Sequence, residues 1–472
     1  MRRIVTFFVP LTMMLGAAFA PAEVIHLKNG RTIWADHVRE NGPRVEYDLG
    51  DNSYAIPKSS VERIEAGGVP PQYAVPTPAK RDVPVFFPQG QMKDDPAISG
   101  KVVQDGKIDA GELFALEKQG GPAAASGYFF AGKHEFDRGN FAKAGEYFES
   151  ALRFDGQNAA ILDYYAVTLA RTGNPGQALP YAERAVQADP DSADAYGVLG
   201  YVQFAADRTS EAIRSWKRAL EIRPDDSIKQ LLAKAEREAS AEADFSQRES
   251  AHFTLHYEGK QTSESFRREL IATLESDFSD LSSQLGSAPR ANIPVVIYTG
   301  QAFFDVTQAP SWTGAINDGK LRIPVEGLTS VTPELARVLK HELSHSFINY
   351  LSHGRCPQWL HEGIAQSLEP KSLSSSGRRL AQLFAAQHAI PFNMLEESFM
   401  RYSPGEAVLA YDESLAAVDY VEETYGMDHI QRILERIGEG SSTEAALRAT
   451  IHSDYGQLEA EVGKYLAGKY GE

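Results

Sequence analysis

From Thr332 to Ser352, apolar side chains recur at Leu335, Val338, Leu339, Leu343, Phe347, Ile348 and Leu351. Steps of three and four place them on one face of a helix. Thr332 suits the N-cap, Pro333 the first helical position and Glu334 the first turn. A shorter amphipathic helix is predicted around Trp359, Leu360, Ile364 and Leu368. Upstream, strands at Phe253–Tyr257 and Ile293–Tyr298 flank a helix near Ser263–Leu285. After Pro370 the pattern is mostly helical, with Ala416, Val418, Val421, Ile430, Ile433, Leu434, Ile437, Leu447, Leu458 and Leu466 as core. Near the start the period shortens. Over 23–66, short apolar runs such as Val24-Ile25, Ile33-Trp34 and Val45 to Tyr47 are separated by Asn29-Gly30, Asn41-Gly42 and Gly50-Asp51-Asn52. This spacing predicts a small barrel-like module of four or five strands, suited to docking rather than to holding a large pocket.

A different regularity fills 123–243. Gly139-Asn140, Gly173-Asn174 and Asp207-Arg208 recur every 34 residues, in step with Ala144, Ala178 and Ala212 and with Ala151, Ala185 and Ala219. Gly132, Ala166 and Gly200 mark a close-packing position in each first helix, and Phe148 and Trp216 supply bulk opposite. The period and pattern resemble tetratricopeptide repeats, three units and a trailing helix, enough for a stable α-solenoid. The resemblance implies a concave groove for a protein or peptide partner; a plain spacer is the alternative. Between these regions, 67–122 reads as a linker, because Pro70, Pro71, Pro76, Pro78, Pro84, Pro88 and Pro96 favour extended chain.

The chain has 472 residues and a formal net charge of −17, enough length for two to four domains. It opens with Arg2 and Arg3, an apolar stretch from Ile4 to Phe19 and small residues near Ala20 and Ala22. This predicts a signal peptide over 1–22 and export to the periplasm or the extracellular space. Removing it takes the net charge to −19. Phosphate would be repelled, so nucleic acid is excluded as a partner. No other run is long enough to span a bilayer. Cys356 is the single cysteine, so there is no intrachain disulfide.

The chemistry concentrates in KHELSH, Lys340 to His345. His341 and His345 lie one turn apart on one helical face, so both can ligate one metal ion. Glu342 points toward the same pocket and can act as a base. A third ligand is expected from Glu362, in WLHEG, beside the apolar set of the following helix; His353 and His361 are its rivals. Three protein ligands leave one position for water.

HELSH followed by WLHEG resembles the gluzincin metallopeptidases, in particular the aminopeptidase-N-like and peptidase-MA-like branches, over 246–472. The resemblance implies one Zn2+ per chain on His341, His345 and Glu362, with Glu342 as general base. It also implies an α+β thermolysin-like zinc peptidase domain and a peptide or protein substrate. The family's oxyanion-stabilising tyrosine corresponds best to Tyr411, with Tyr402 and Tyr420 as alternatives; the lysine and glycine of that motif are Glu413 and Ser414 here. The family's edge strand before the first histidine corresponds to Gly314, Ala315 and Asn317, a substrate-binding segment. Asn317 stands where an aminopeptidase has a glutamate for the substrate's ammonium group. An amide lacks that charge, which points to an endopeptidase. The expected whole is a multidomain, mainly α protein: β module, repeat solenoid and exported peptidase. A repeat-based envelope scaffold with a non-catalytic metal site is the alternative.

Overall fold

A computed structural model describes residues 22–28, 32–35, 37–49, 52–68, 88–90, 92, 96–104, 106–259, 262–307, 315–325, 328–369, 371–399, 402 and 404–471. The expected signal peptide lies, but for Ala22, outside the described residues. The chain divides into two compact units, 1–74 and 75–472. No described helix is long and apolar enough to cross a membrane.

The first unit contains β1 (Ala22–Leu27), β2 (Thr32–Ala35), β3 (His37–Asn41), β4 (Arg44–Leu49), β5 (Asn52–Pro57) and β6 (Val61–Gly68). They form two antiparallel three-stranded sheets, ordered β2-β1-β6 and β3-β4-β5. The expected barrel is therefore corrected: among the described residues the strands form two small sheets around Ile25, Val45 and Tyr47, and no closed barrel.

In the second unit, the linker expected over 67–122 gives way to folded structure at Pro96. There α1 (Pro96–Val102) begins, followed by the hairpin β7 (Val103–Gln104) and β8 (Lys107–Ile108) and by α2 (Ala110–Gln119). Asp109 caps α2 by accepting from the backbone N–H groups of Gly111 and Glu112. Proline at the first position of a helix is a start signal as well as a mark of extended chain.

Three helical hairpins follow: α3 (Gly121–Asp137) with α4 (Phe141–Phe154), α5 (Ala159–Arg171) with α6 (Pro175–Ala188), and α7 (Ala193–Ala205) with α8 (Thr209–Ile222). The trailing helix is α9 (Asp226–Ala241). Gly139 and Gly173 have positive φ at the first two turns, and Asp207 takes that conformation at the third. Close packing explains the recurrent glycines of the first helices. A Cβ at Gly132 would come within 2.7 Å of the Phe148 ring, and one at Gly200 within 2.5 Å of Trp216. The first helices touch one another directly, α5 packing on both α3 and α7, and so form the inner layer of the stack.

The remainder opens with β9 (Ser246–Glu249), β10 (Phe253–Tyr257), α10 (Glu264–Leu285), β11 (Ile293–Tyr298), α11 (Gly300–Thr307), β12 (Ile316–Asn317) and β13 (Leu321–Pro324). The strands form one mixed sheet, ordered β12-β13-β11-β10-β9, with β12 at an edge. Helices complete the domain: α12 (Pro333–Ser352), α13 (Gln358–Leu368), α14 (Gly377–Ala385), α15 (Pro404–Tyr425), α16 (Met427–Gly438), α17 (Thr443–Ile451) and α18 (Tyr455–Tyr470). Sheet, α10 and α12 to α18 share one hydrophobic core. The apolar stripe read on α12 is in it, and Thr332 caps that helix by accepting from Leu335 N.

Charge, not only apolar surface, joins the repeats to this domain. Arg322 on β13 is buried and donates to Glu238 of α9 at 2.7 Å, to Asp318 at 2.9 Å and to the Tyr298 hydroxyl at 2.7 Å. Lys320 reaches Glu238 and Asp207, and Lys234 of α9 reaches Asp318. Burial alone would raise the Asp318 pKa, but Arg322 and Lys234 hold it well below the usual carboxylate range. Such a cluster tolerates burial only because its charges are paired and hydrogen-bonded.

Candidate metal centre

His341 and His345 project from successive turns of α12, their ring centroids 4.8 Å apart. Glu362, near the middle of α13, enters from the side: its Oε2 lies 3.5 Å from His341 Nε2 and 3.9 Å from His345 Nε2. Two ligand atoms on one tetrahedral metal at ordinary bond lengths sit about 3.3 Å apart, close to these separations. Candidate ligand atoms of His341, Glu342 and His345 also lie within 4.8 Å of one another. All four residues are buried.

Gln358 explains how Glu362 is aimed. Its Nε2 donates to Oε1 at 2.9 Å, which leaves Oε2 toward the imidazoles. Gly363 explains how α13 reaches this depth. A Cβ there would stand 2.4 Å from the Ser414 carbonyl oxygen and 2.6 Å from Val418, so glycine lets α13 and α15 touch backbone to backbone. Gln366 strengthens the junction by donating to the Tyr411 carbonyl at 3.0 Å.

The site carries an excess of buried negative charge. Sequence reasoning missed one contributor, Glu369, whose Oε1 lies 3.6 Å from His341 Nδ1 and which is 3 % exposed. A carboxylate behind a ligating imidazole fixes its orientation and raises its basicity. A signal existed: Glu369 follows Glu362 by two helical turns, on the same face. Burial pushes the Glu342 carboxyl up to about 8; His341 pulls it down, while Glu362 and Glu369 raise it further. Burial opposes protonation of His341, yet Glu369, Glu362 and Glu342 lift its pKa to about 10. Both His341 ring nitrogens and Glu342 Oε2 are buried without a hydrogen-bond partner. Buried donors and acceptors left so are costly. A divalent cation among two imidazoles and a carboxylate would remove the cost, so the residues fit a metal.

Of the rival ligands, His353 stands apart from the site and His361 borders it. His353 caps the C-terminus of α12 with positive φ, and its Nδ1 lies 3.0 Å from the Gly438 carbonyl oxygen. His361 stacks on His345 at 4.5 Å, while its Nε2 lies 3.2 Å from Asn349 Oδ1. That contact leaves Glu362 as the better third ligand, although His345, His361 and Glu362 also lie within ligating reach of one another.

Tyr411 is buried on α15, edge-to-face with Phe399. Burial first, then the carboxylates of Glu362 and Glu342, push its hydroxyl pKa well above the ordinary value. It therefore shares their electrostatic environment. Tyr402 instead donates to the Met394 carbonyl, and Tyr420 packs against Tyr425 and Tyr465. Ala315 is buried on the approach to the edge strand; Gly314 lies outside the described residues. Asn317 faces inward. Its Nδ2 donates to the Glu342 carbonyl and to Ser346 Oγ, both at 2.7 Å. The Asn317 amide is thus spent on α12, while the backbone of β12 lies at the edge of the sheet.

Residues 273–468 match the Peptidase MA superfamily, and residues 104–159 and 169–235 match tetratricopeptide repeat families. The chain carries a Peptidase MA superfamily domain preceded by tetratricopeptide repeats. The cytochrome c-type biogenesis protein CycH of Pseudomonas aeruginosa is 28 % identical over 111 residues, which are 23 % of this chain and 27 % of that protein. The match thus spans about a quarter of the relative's length. Among solved structures, the first TPR domain of human RPAP3 is similar at 22 % identity and a TM-score of 0.25, covering 25 % of this chain and 95 % of that one. The first TPR of Spaghetti (RPAP3) bound to the HSP90 peptide SRMEEVD gives 21 % and 0.24, with 25 % and 93 % covered.

Proposed function

We propose that the chain is an exported zinc-dependent peptidase of the gluzincin type, an endopeptidase whose repeats recruit a substrate or partner. One observation carries this reading: His341, His345 and Glu362 converge in a buried pocket beside a carboxylate, Glu342, that no purely structural metal site needs. The sheet with its helical lobe, α12 and α13 bearing the site, suits a thermolysin-like arrangement. The apolar stretch after Arg2 and Arg3 supports export.

His341, His345 and Glu362 would hold the zinc, which when bound would supply Lewis acidity toward water and the substrate carbonyl. Glu342 accepts the proton of the attacking water and passes it to the leaving amine. A carboxyl whose pKa is raised by burial is suited to holding that proton in between. The Tyr411 hydroxyl donates to the carbonyl oxygen as negative charge gathers there. The backbone of β12 aligns an extended substrate by strand addition. With Asn317 turned to α12 and uncharged, no group of β12 selects a free amino terminus.

A second reading, a repeat scaffold for envelope assembly with a non-catalytic metal site, draws on the relative named for cytochrome c biogenesis. One experiment separates the two. Purified protein is assayed for bound zinc and for casein cleavage, with and without a chelator. About one zinc per chain and chelator-sensitive cleavage, unaffected by acetylation of peptide amino termini, is expected. Zinc without turnover on any peptide library would favour the scaffold.

A further inference from the structure

Part of the inner face of the repeats, along α5, is covered by the chain itself. Tyr164 on α5 donates its hydroxyl to the Pro88 carbonyl at 3.0 Å. Pro88 is buried, although it precedes the first repeat helix by more than thirty residues. Met92 packs against the core of the repeats. Between them Gly90 lies over α5, where a Cβ would meet Ala160 at 3.5 Å and Asp163 Oδ2 at 3.8 Å. These are ordinary contacts, so the backbone passes at the distance of a bound peptide.

Asp163 gives this contact its chemistry. It is 1 % exposed, and its Oδ1 is buried without a hydrogen-bond partner. Asp194, on the adjoining first helix, is also buried and is bound by Arg223 at 2.6 Å. Burial first, then Asp194 and Asp189, raise the Asp163 pKa well above the ordinary value. A segment that brings an acid to this place would meet a like charge or an unsatisfied acceptor. Gly90 brings no side chain.

We propose that the stretch carrying Pro88, Gly90 and Met92 is a built-in occupant of the repeat groove. The groove's partner is then an extended, non-acidic peptide of similar character that must displace it. This rests on reading the repeats as a peptide-recruiting surface, and it adds that the surface is closed at rest. A tethered segment acts at an effective concentration of order millimolar. A free peptide with an intrinsic Kd of about 10 μM would then be weakened roughly a hundredfold, by the fraction of grooves left open.

The test uses the full chain carrying Glu342→Gln, so that the probe is not consumed, and a labelled peptide of residues 86–94. In a second chain, residues 86–92 are replaced by a Gly-Ser stretch of equal length. Fluorescence anisotropy should show the peptide binding the replaced chain about a hundredfold more tightly. The milder Met92→Ser chain, which keeps the backbone, should show an intermediate gain and covers the case in which the replaced chain does not fold. A peptide carrying Gly90→Asp should bind the replaced chain at least tenfold more weakly. Equal affinity for the opened and intact chains would overturn the self-occupation alone. Equal binding of the aspartate peptide would overturn the contact with Asp163. No binding to any chain would overturn the groove reading as well, while leaving the peptidase reading to its own assay.

Discussion

The side-chain amide of Asn317 donates to the backbone carbonyl of Glu342 at 2.7 Å, linking the edge strand β12 to the helix that carries the proposed base. It also donates to Ser346 Oγ one turn farther along α12. One residue thus sets where a strand-aligned substrate would lie relative to Glu342. Replacing Asn317 with Ala is expected to cost about 1–3 kcal/mol in stability, because a buried donor with two acceptors is lost. Chemical denaturation measures that cost, and cleavage rates should fall further than the stability change alone predicts.

Glu342→Gln keeps the shape of the pocket and removes the proton acceptor. It should retain metal while losing roughly two to four orders of magnitude in rate. Metal content and turnover, measured on one preparation, check both halves; full activity would move the base elsewhere.

Glu369 acts through His341 and touches no substrate in this reading. Glu369→Gln should weaken zinc affinity about 10–100-fold. The rate per bound zinc at saturating metal should change far less. A competition titration against a chelator reads the first quantity, and turnover at saturation the second.

Gly363→Ala forces a methyl group against the Ser414 carbonyl and Val418. Backbone cannot yield as a flexible side chain can, so a loss of about 1–3 kcal/mol is expected, together with weaker metal binding as Glu362 shifts. Thermal unfolding with and without zinc tests this.

Arg322→Ala would leave Glu238 and Asp318 buried without their shared guanidinium. Breaking a buried pair by removing one partner costs about 3–5 kcal/mol. The double replacement Arg322→Met with Glu238→Leu should recover only the part of that loss due to Glu238, since Asp318 then keeps Lys234 alone and Lys320 keeps Asp207 alone. A thermal-shift series on the three proteins decides it.

Much of this was legible in the sequence because two periodicities are strict. Helical spacing in α12 put His341 and His345 on one face, and the 34-residue repeat put Gly132 and Gly200 opposite the bulky Phe148 and Trp216. What escaped depends on partners distant in sequence. Arg322 meets Glu238 across 84 positions, and no local pattern announces such a pair. The direction of the Asn317 side chain on its edge strand is set by the helix behind it, which no local pattern announces either. The barrel expectation failed because turn spacing shows how many strands form and not which edges join. The linker expectation failed at Pro96, where proline opens a helix.

The Glu238–Arg322 cluster also bears on where the peptidase half can be cut free. By composition the boundary falls near Ser246, after α9. By charge it does not, because the counter-ion of Arg322 belongs to the last helix of the repeats. A recombinant fragment beginning at Ser246 would inherit Arg322 and Lys320 stripped of Glu238. The repeats and the domain that carries the metal centre therefore belong to one compact unit, best expressed together.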